Sequence, residues 1–329
     1  MKEIFTKIFI ALACVMALAP VFSVHADDYP SKPIVNIVAW APGGSTDISA
    51  RLFASFMPKY LGQAMVTENQ AGGATLPGTL AMARARPDGY TVGVNWAATW
   101  TIRPFILDVP YTMDDFTFII GIHDQETVLF VRKDSPFKTF EDLIKHIKAN
   151  PGKLNYGGGV TGSFQHLLGA FLNFRLGVDA EYISQDGNRP TTIAVLGGQL
   201  DYAILDVLSV AGELKTGAVR PLVCFQKERI KEYPDTPTIK ELGYEELILP
   251  QSMMMVGPKG IPADRVKILH DAFKRILEDP EFLKLGTNVG MNVSYRSGEE
   301  CRQDIANMIK VLTPVIDRIF PDSPASKKK

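Results

Sequence analysis

Two stretches of this chain combine the residue types that hold anions. The first, Ala41-Pro42-Gly43-Gly44-Ser45-Thr46-Asp47, follows the β-branched apolar run Ile34–Ala39. It precedes Ile48, Leu52, Phe53 and Phe56, an apolar stripe at helical spacing. A strand, a glycine turn and a helix start, in that order, leave backbone N–H groups unpaired at the positive end of a helix dipole, and that geometry binds anions. Ser45 or Thr46 is expected to N-cap the helix, and Asp47 in the first turn suits the dipole. The other reading of the stretch is an ordinary strand-to-helix turn with no ligand. Gly157–Ser163 repeats the design between a short strand, Lys153–Tyr156, and an apolar-striped helix, Ser163–Leu176. Neither loop carries Lys or Arg, so an anion there would be held by dipoles and hydroxyls. A third candidate, Asn95-Trp96-Ala97-Ala98-Thr99-Trp100, follows the strand Tyr90–Val94, at the carboxyl end where open α/β sheets bind ligands. Each Trp either lines a pocket or caps the core.

The elements that would position these loops alternate strand and helix. Strands are expected at Ala64–Glu68, Phe116–Ile122, Thr127–Arg132, Glu181–Ser184, Asp201–Leu205, Leu222–Phe225 and Met253–Val256. Helices are expected at Thr79–Ala85, Lys138–Ala149, Pro190–Leu196, Asp264–Leu277 and Gly298–Ile319. Two strand–glycine–helix units predict two α/β lobes facing each other. Met253–Val256 would return the chain to the first. The division expected is residues 27–131 with 252–329 in one lobe and 132–251 in the other.

Met1–Ala26 has the form of a cleaved export signal. Lys2 and Lys7 precede the apolar run Ile8–Phe22, and Val24-His25-Ala26 is a small-residue cleavage site. Ala11-Leu12-Ala13 before Cys14 fits a lipid-attachment box poorly, so a soluble exported protein is expected. No later segment is apolar enough to enter a membrane. The 329 residues, 46% hydrophobic and 22% charged with a net charge of −1, give no electrostatic footprint for nucleic acid. Cys224 and Cys301 could pair in an oxidising compartment or be two buried thiols. Gly157, Gly159 and Gly162 match GxGxxG with Asp179 further on, but such short patterns recur by chance in glycine-rich loops. The chain has no HExxH, CxxC or GxSxG, its five histidines are scattered, and His166 reads as helix packing. No catalytic residue, metal or cofactor is expected, and an exported enzyme is the less favoured class.

Six motifs in order give the chain a family resemblance: YPSKPI (Tyr29–Ile34), APGGSTD (Ala41–Asp47), ARPDGYT (Ala85–Thr91), PGKLNYG (Pro151–Gly157), LGGQLDY (Leu196–Tyr202) and YPDTPTIKELG (Tyr233–Gly243). With these motifs the chain resembles the Bug-type substrate-binding proteins of tripartite tricarboxylate transporters. The resemblance implies an α/β fold, a two-lobed periplasmic binding protein of type II-like form with two chain crossings. It also implies closure on a small carboxylate and delivery to a two-component membrane permease. A receptor for another solute class, such as amino acids, is the alternative.

Carried onto this sequence, the resemblance implies that Pro42, Gly43, Gly44, Ser45, Thr46 and Asp47 form the first ligand loop, with Asp47 fixing it as an N-cap. Asn95, Trp96, Ala97 and Thr99 would form the neighbouring loop of the same lobe. Gly158, Gly159, Thr161, Gly162 and Ser163 would close from the other lobe, with Thr161, Gly162 and Ser163 as donors. Gln185, Asp186, Arg189 and Asp206 would surround the distal end of the ligand. Gly158 and Gly159 stand where the family usually has serines. Gln185-Asp186-Gly187 stands where it often has Tyr-Lys-Gly. Arg189 either replaces that lost positive charge or points to solvent.

Overall fold

The computed structural model describes residues 29–249 and 251–321. The expected export signal and the basic tail Ser326–Lys329 lie outside them. Of the unit Met1–Ser31 only the last three residues are described, and they carry no regular secondary structure. Everything below concerns the unit Lys32–Lys329.

In chain order the elements are β1 (Ile34–Val38), α1 (Ser45–Leu61), β2 (Met65–Asn69), α2 (Leu76–Ala83), β3 (Thr91–Trp96), α3 (Ala98–Thr101), α4 (Arg103–Ile106), β4 (Phe116–Asp124) and β5 (Thr127–Arg132). There follow α5 (Phe140–Ala149), β6 (Asn155–Gly157), α6 (Phe164–Leu176), β7 (Glu181–Tyr182), α7 (Asn188–Leu196), β8 (Tyr202–Asp206), α8 (Val207–Thr216) and β9 (Val219–Cys224). The chain ends with β10 (Ser252–Pro258), α9 (Ala263–Leu277), α10 (Pro280–Asn288), β11 (Val293–Ser297) and α11 (Gly298–Ile319).

The strands form two sheets, one per lobe. The first has the order β11-β4-β10-β3-β1-β2 and the second β7-β6-β8-β5-β9. β10 runs antiparallel between β3 and β4, so β1, β3 and β4 all point the same way. In the second sheet β6 and β8 are parallel, and β5 is antiparallel to β8 with Thr127 opposite Asp206. Each sheet therefore turns the carboxyl ends of its parallel strands toward the segments where the chain passes between lobes. Ligand loops of α/β sheets belong at those ends.

The first crossing lies at Gln125–Glu126, earlier than the expected boundary at 131/132, because β5 pairs with β8 and β9 of the second sheet. Hydrophobicity alone could not assign that strand, since it is apolar wherever it sits. The return lies just before Ser252, and Gln125 N–H donates to the Gln251 carbonyl at 2.8 Å, tying the two crossing segments together. A second departure concerns the C-terminal helix. Cys301 and Ile305 of α11 pack in the first lobe's core, whereas Leu312 and Ile316 belong to the cluster holding Phe164, Leu168 and Tyr202 of the second.

Local sequence accounts for most elements. α5 begins with a capping box, Thr139 with Asp142, and buries the expected face of Phe140, Leu143, Ile144 and Ile147. Strands β1 and β10 are buried almost throughout, as apolar runs covered on both faces must be. Cys224 and Cys301 are separate, buried free thiols. Among the described residues no helix is long and apolar enough to cross a membrane.

Two histidines link this packing to pH. His123 sits in β4 with Nδ1 2.9 Å from the Asn292 carbonyl, and His166 in α6 accepts the Gly162 N–H on Nδ1. Burial pushes both down to about 4. The unfolded chain, with histidines near 6.5, takes up these protons first as pH falls, so their stability contribution is full above about pH 7 and lost between about 6.5 and 4. Denaturant unfolding at pH 5 should show about 1–2 kcal/mol less stability per histidine than at pH 7. His166→Gln should remove its share of the difference; an unchanged pH slope in that variant would contradict the assignment.

Candidate functional site

A cleft between the lobes gathers the carboxyl-end loops of both sheets. Its first-lobe wall is Trp40, Ala41, Gly44, Ser45, Thr46, Trp96, Ala98 and Arg103, its floor Gln125 and Gln251 from the crossings, and its second-lobe wall Val160, Ser163, Phe164, Gln165 and Asn188. The free volume between these walls is about 20 Å³, roughly one water. A solute of several heavy atoms therefore enters only with the lobes further apart than they stand here.

The first loop is held from below. The N-cap of α1 is Gly44, with no side-chain cap, so neither Ser45 nor Thr46 nor Asp47 has the capping role expected of it. The helix starts one residue sooner, and each of these side chains finds another partner. Asp47, in the first turn, accepts the Gly43 N–H at 2.9 Å and is braced by Arg51 and Asn69. Burial alone would raise its pKa, but the hydrogen bonds from Arg51, Gly43 and Asn69 outweigh this and hold it below the ordinary carboxylate range. Gly43 has φ +79°, a conformation costly for residues with a Cβ. The Thr46 hydroxyl accepts Trp96 Nε1–H at 2.8 Å, which leaves its own proton free to point elsewhere. Ser45 donates to Asp206 Oδ2 of the second lobe at 2.9 Å.

The stretch 95–100 is not a loop: Asn95 and Trp96 end β3, and residues 98–100 lie in α3, the first of two short helices. Asn95 Oδ1 accepts from the Trp96 N–H at 3.1 Å and the Thr99 hydroxyl at 2.5 Å, so Asn95 and Thr99 brace the turn behind the wall. Ala97 N–H is tied to the Ser252 carbonyl. Of the two tryptophans, Trp96 reaches the cleft and Trp100 is core, edge-on to Phe116.

The second loop spends its donors internally. Gly159 N–H goes to Thr191 Oγ1, Thr161 N–H to Ser184 Oγ, Gly162 N–H to His166 Nδ1 and Ser163 N–H to the Val160 carbonyl. The Ser163 hydroxyl donates to the Gly158 carbonyl at 2.6 Å and caps α6 by accepting the His166 N–H. The expected donors Thr161, Gly162 and Ser163 are thus engaged. The first-turn N–H groups of Phe164 and Gln165, at the cleft wall, are the ones without an intrahelical acceptor. Gly158 leaves no room for the family's serine, since a side-chain carbon there would meet Gln165 Cβ at 2.8 Å.

Gln185, Asp186 and Arg189 do not line the cleft; Asn188, within the same expected stretch though not singled out, does. Arg189 is paired with Glu213 at 2.5 Å, and its charge is therefore satisfied within its own lobe. Asp206 caps α8, a helix absent from the sequence expectation, through the Ser209 N–H at 2.8 Å, and also accepts from Asn188 and from Ser45 across the cleft. Burial raises its pKa while these hydrogen bonds oppose the rise. Pro42 and Gly43, Gly158 and Gly159 shape the loops without reaching the cleft.

The profile of the tripartite tricarboxylate transporter family receptor, TctC, matches residues 49–320. The chain belongs to this family. A UPF0065 protein of Bordetella pertussis is 30% identical over 309 residues, covering 94% of this chain and 96% of that one. The periplasmic binding protein BugD superposes with a TM-score of 0.84 at 27% identity, covering 88% of this chain and 98% of that one. MatC of Rhodopseudomonas palustris, solved with bound malate, superposes at 0.82 and 27% identity, covering 88% and 100%. The receptor is thus a periplasmic-type solute-binding protein and not an enzyme, and its fold is the two-lobed one of these proteins.

The Asp47 brace makes a testable demand. Asp47→Ala should cost the receptor about 1–3 kcal/mol at pH 7 by stranding the Gly43 N–H and loosening the loop. Asp47→Asn should cost less, because an amide oxygen still accepts that N–H. The depressed pKa means the contribution is present above about pH 4 and fades below it. The stability gap between wild type and Asp47→Ala should therefore be smaller at pH 3 than at pH 7 in unfolding curves.

Proposed function

We propose that the receptor binds a small carboxylate between its lobes and delivers it to a two-component membrane permease, after export through cleavage of residues 1–26. One observation carries the ligand class: the first-turn N–H groups of α1 and α6 border the same cleft. Two helix N-termini facing one space favour negative charge there. The likeness to MatC, whose structure holds malate, supports a carboxylate of that size. Delivery to a permease rests on family membership.

Protein stripped of co-purified solute should gain thermal stability with a small mono- or dicarboxylate such as malate, because a ligand of the folded state stabilises it by mass action. The neutral amide should give no gain. A response confined to sugars, metals or nucleotides would refute the proposal. Gly44→Val should weaken carboxylate binding more than tenfold in calorimetry. A Cβ at Gly44 already lies 3.9 Å from Asn188 Cβ and Arg189 N, so the valine branches would hold the lobes apart.

A further inference from the structure

Arg103 is buried in the wall of this cleft without an anionic partner. It is 2% exposed. Nη1 donates to Thr75 Oγ1, and the guanidinium lies 5.7 Å from the Trp40 ring centroid with the Tyr111 phenol beside it. Nε is buried with no hydrogen-bond partner, and no ion pair to Arg103 exists among the described residues. Lysine can shed its proton when buried; arginine cannot, so the cation stays a cation. An enclosed, unpaired charge is among the most costly things a protein can hold, and proteins pair such charges.

Two further features belong to this residue. Thr75 adopts φ +70° next to Ala74 at +52°, a left-handed conformation that a β-branched residue rarely takes. The same residue presents its hydroxyl to Nη1, which is where strain is expected at a functional position. From the opposite lobe, Gly162 closes over the Arg103 stem; a side-chain carbon at Gly162 would come within 3.0 Å of Arg103 Cγ. The same lobe approach that brings Phe164 and Gln165 to the cleft therefore seals the guanidinium from water.

We propose that Arg103 is the charge partner of the solute: the carboxylate is taken as an ion pair with its guanidinium, and the N–H groups of the two helix starts complete the ligation. This rests on the carboxylate reading above and sharpens it. Selection for an anion then depends on one full positive charge, in addition to the helix dipoles. Thr75 and Trp40 act as positioning residues for that charge.

The test is a cycle between residue and ligand. Wild type, Arg103→Met and Arg103→Lys, each stripped of solute and confirmed folded by circular dichroism, are titrated calorimetrically with lactate, succinate, malate, benzoate, the amides of these acids, and inorganic phosphate. For the tightest carboxylate, Arg103→Met should lose at least a hundredfold in affinity and Arg103→Lys roughly tenfold. Changing carboxylate to amide should cost wild type at least a hundredfold and Arg103→Met less than tenfold, a coupling that a merely structural arginine would not produce. Should Arg103→Met fail to fold, Arg103→Gln, which keeps a donor for Thr75 but no charge, takes its place with the same expectation. If a charge-neutral variant binds the carboxylate as wild type does, Arg103 is not the partner, although the carboxylate reading survives. If wild type takes none of the acids, or only phosphate, both fall together.

Discussion

A helix that begins at a sheet's edge cannot satisfy its own first N–H groups, and much of this receptor's architecture follows from where those groups are left. In each lobe a strand ends, glycines turn the chain, and a helix starts with unpaired donors. The sheet topology aims both starts at one cleft by directing the carboxyl ends of β1, β3 and β4, and of β6 and β8, toward the crossing segments. Were β10 parallel to its neighbours, it would begin at the opposite edge of the sheet, and Gln251 could not meet Gln125 at the cleft floor. The antiparallel return strand is therefore a condition of the site as much as of the fold.

The lobes meet through a buried carboxylate. Asp206 caps α8, holds Asn188 and accepts the Ser45 hydroxyl from the facing lobe. Burial of that charge is unfavourable, and three donors offset it. Separating the lobes takes the Ser45 hydroxyl away from Asp206 and from Asn188 Nδ2, while Asn188 and Ser209 travel with Asp206. The contact thus favours closure without locking it, at the scale of one charge-assisted hydrogen bond, about 1.5–3 kcal/mol. α11 adds a limit of another kind. Its last turns pack in the second lobe while its first turns pack in the first, so lobe motion must bend or slide this helix, which contains Pro314.

The periodic elements were legible in the sequence, and so was the pairing of the two glycine loops, because strand, turn and helix leave local signals. Long-range partnership was not. Nothing local says that β5 belongs to the second sheet, or that the polar groups of the second loop bond to one another. Asp206 reads as the end of a strand; its capping of α8 depends on Ser209 and on a helix whose start, Val207-Leu208, looks like more strand. Asp47 could be recognised as a loop-fixing residue, but its partner is the Gly43 N–H rather than a cap site, a one-residue difference in helix start. Arg103 follows Trp100-Thr101-Ile102 and precedes Pro104 at the carboxyl end of β3. A lone cation a few residues beyond the carboxyl end of β3 is a usable signal in the sequence.

The division of labour between loop and wall has a physical basis. A loop that must present N–H groups at fixed positions has to be rigid before the ligand arrives, and rigidity comes from spending side-chain hydrogen bonds inside the loop. Asp47 does this for the first loop, and Ser163, His166 and Ser184 do it for the second. The polar atoms left over sit on walls and floor: the Thr46 proton, Gln251 Oε1 and Arg103 Nε. On the proposed reading, discrimination among solutes belongs to the wall and floor positions Trp40, Arg103, Asn188 and Gln251 rather than to the loops.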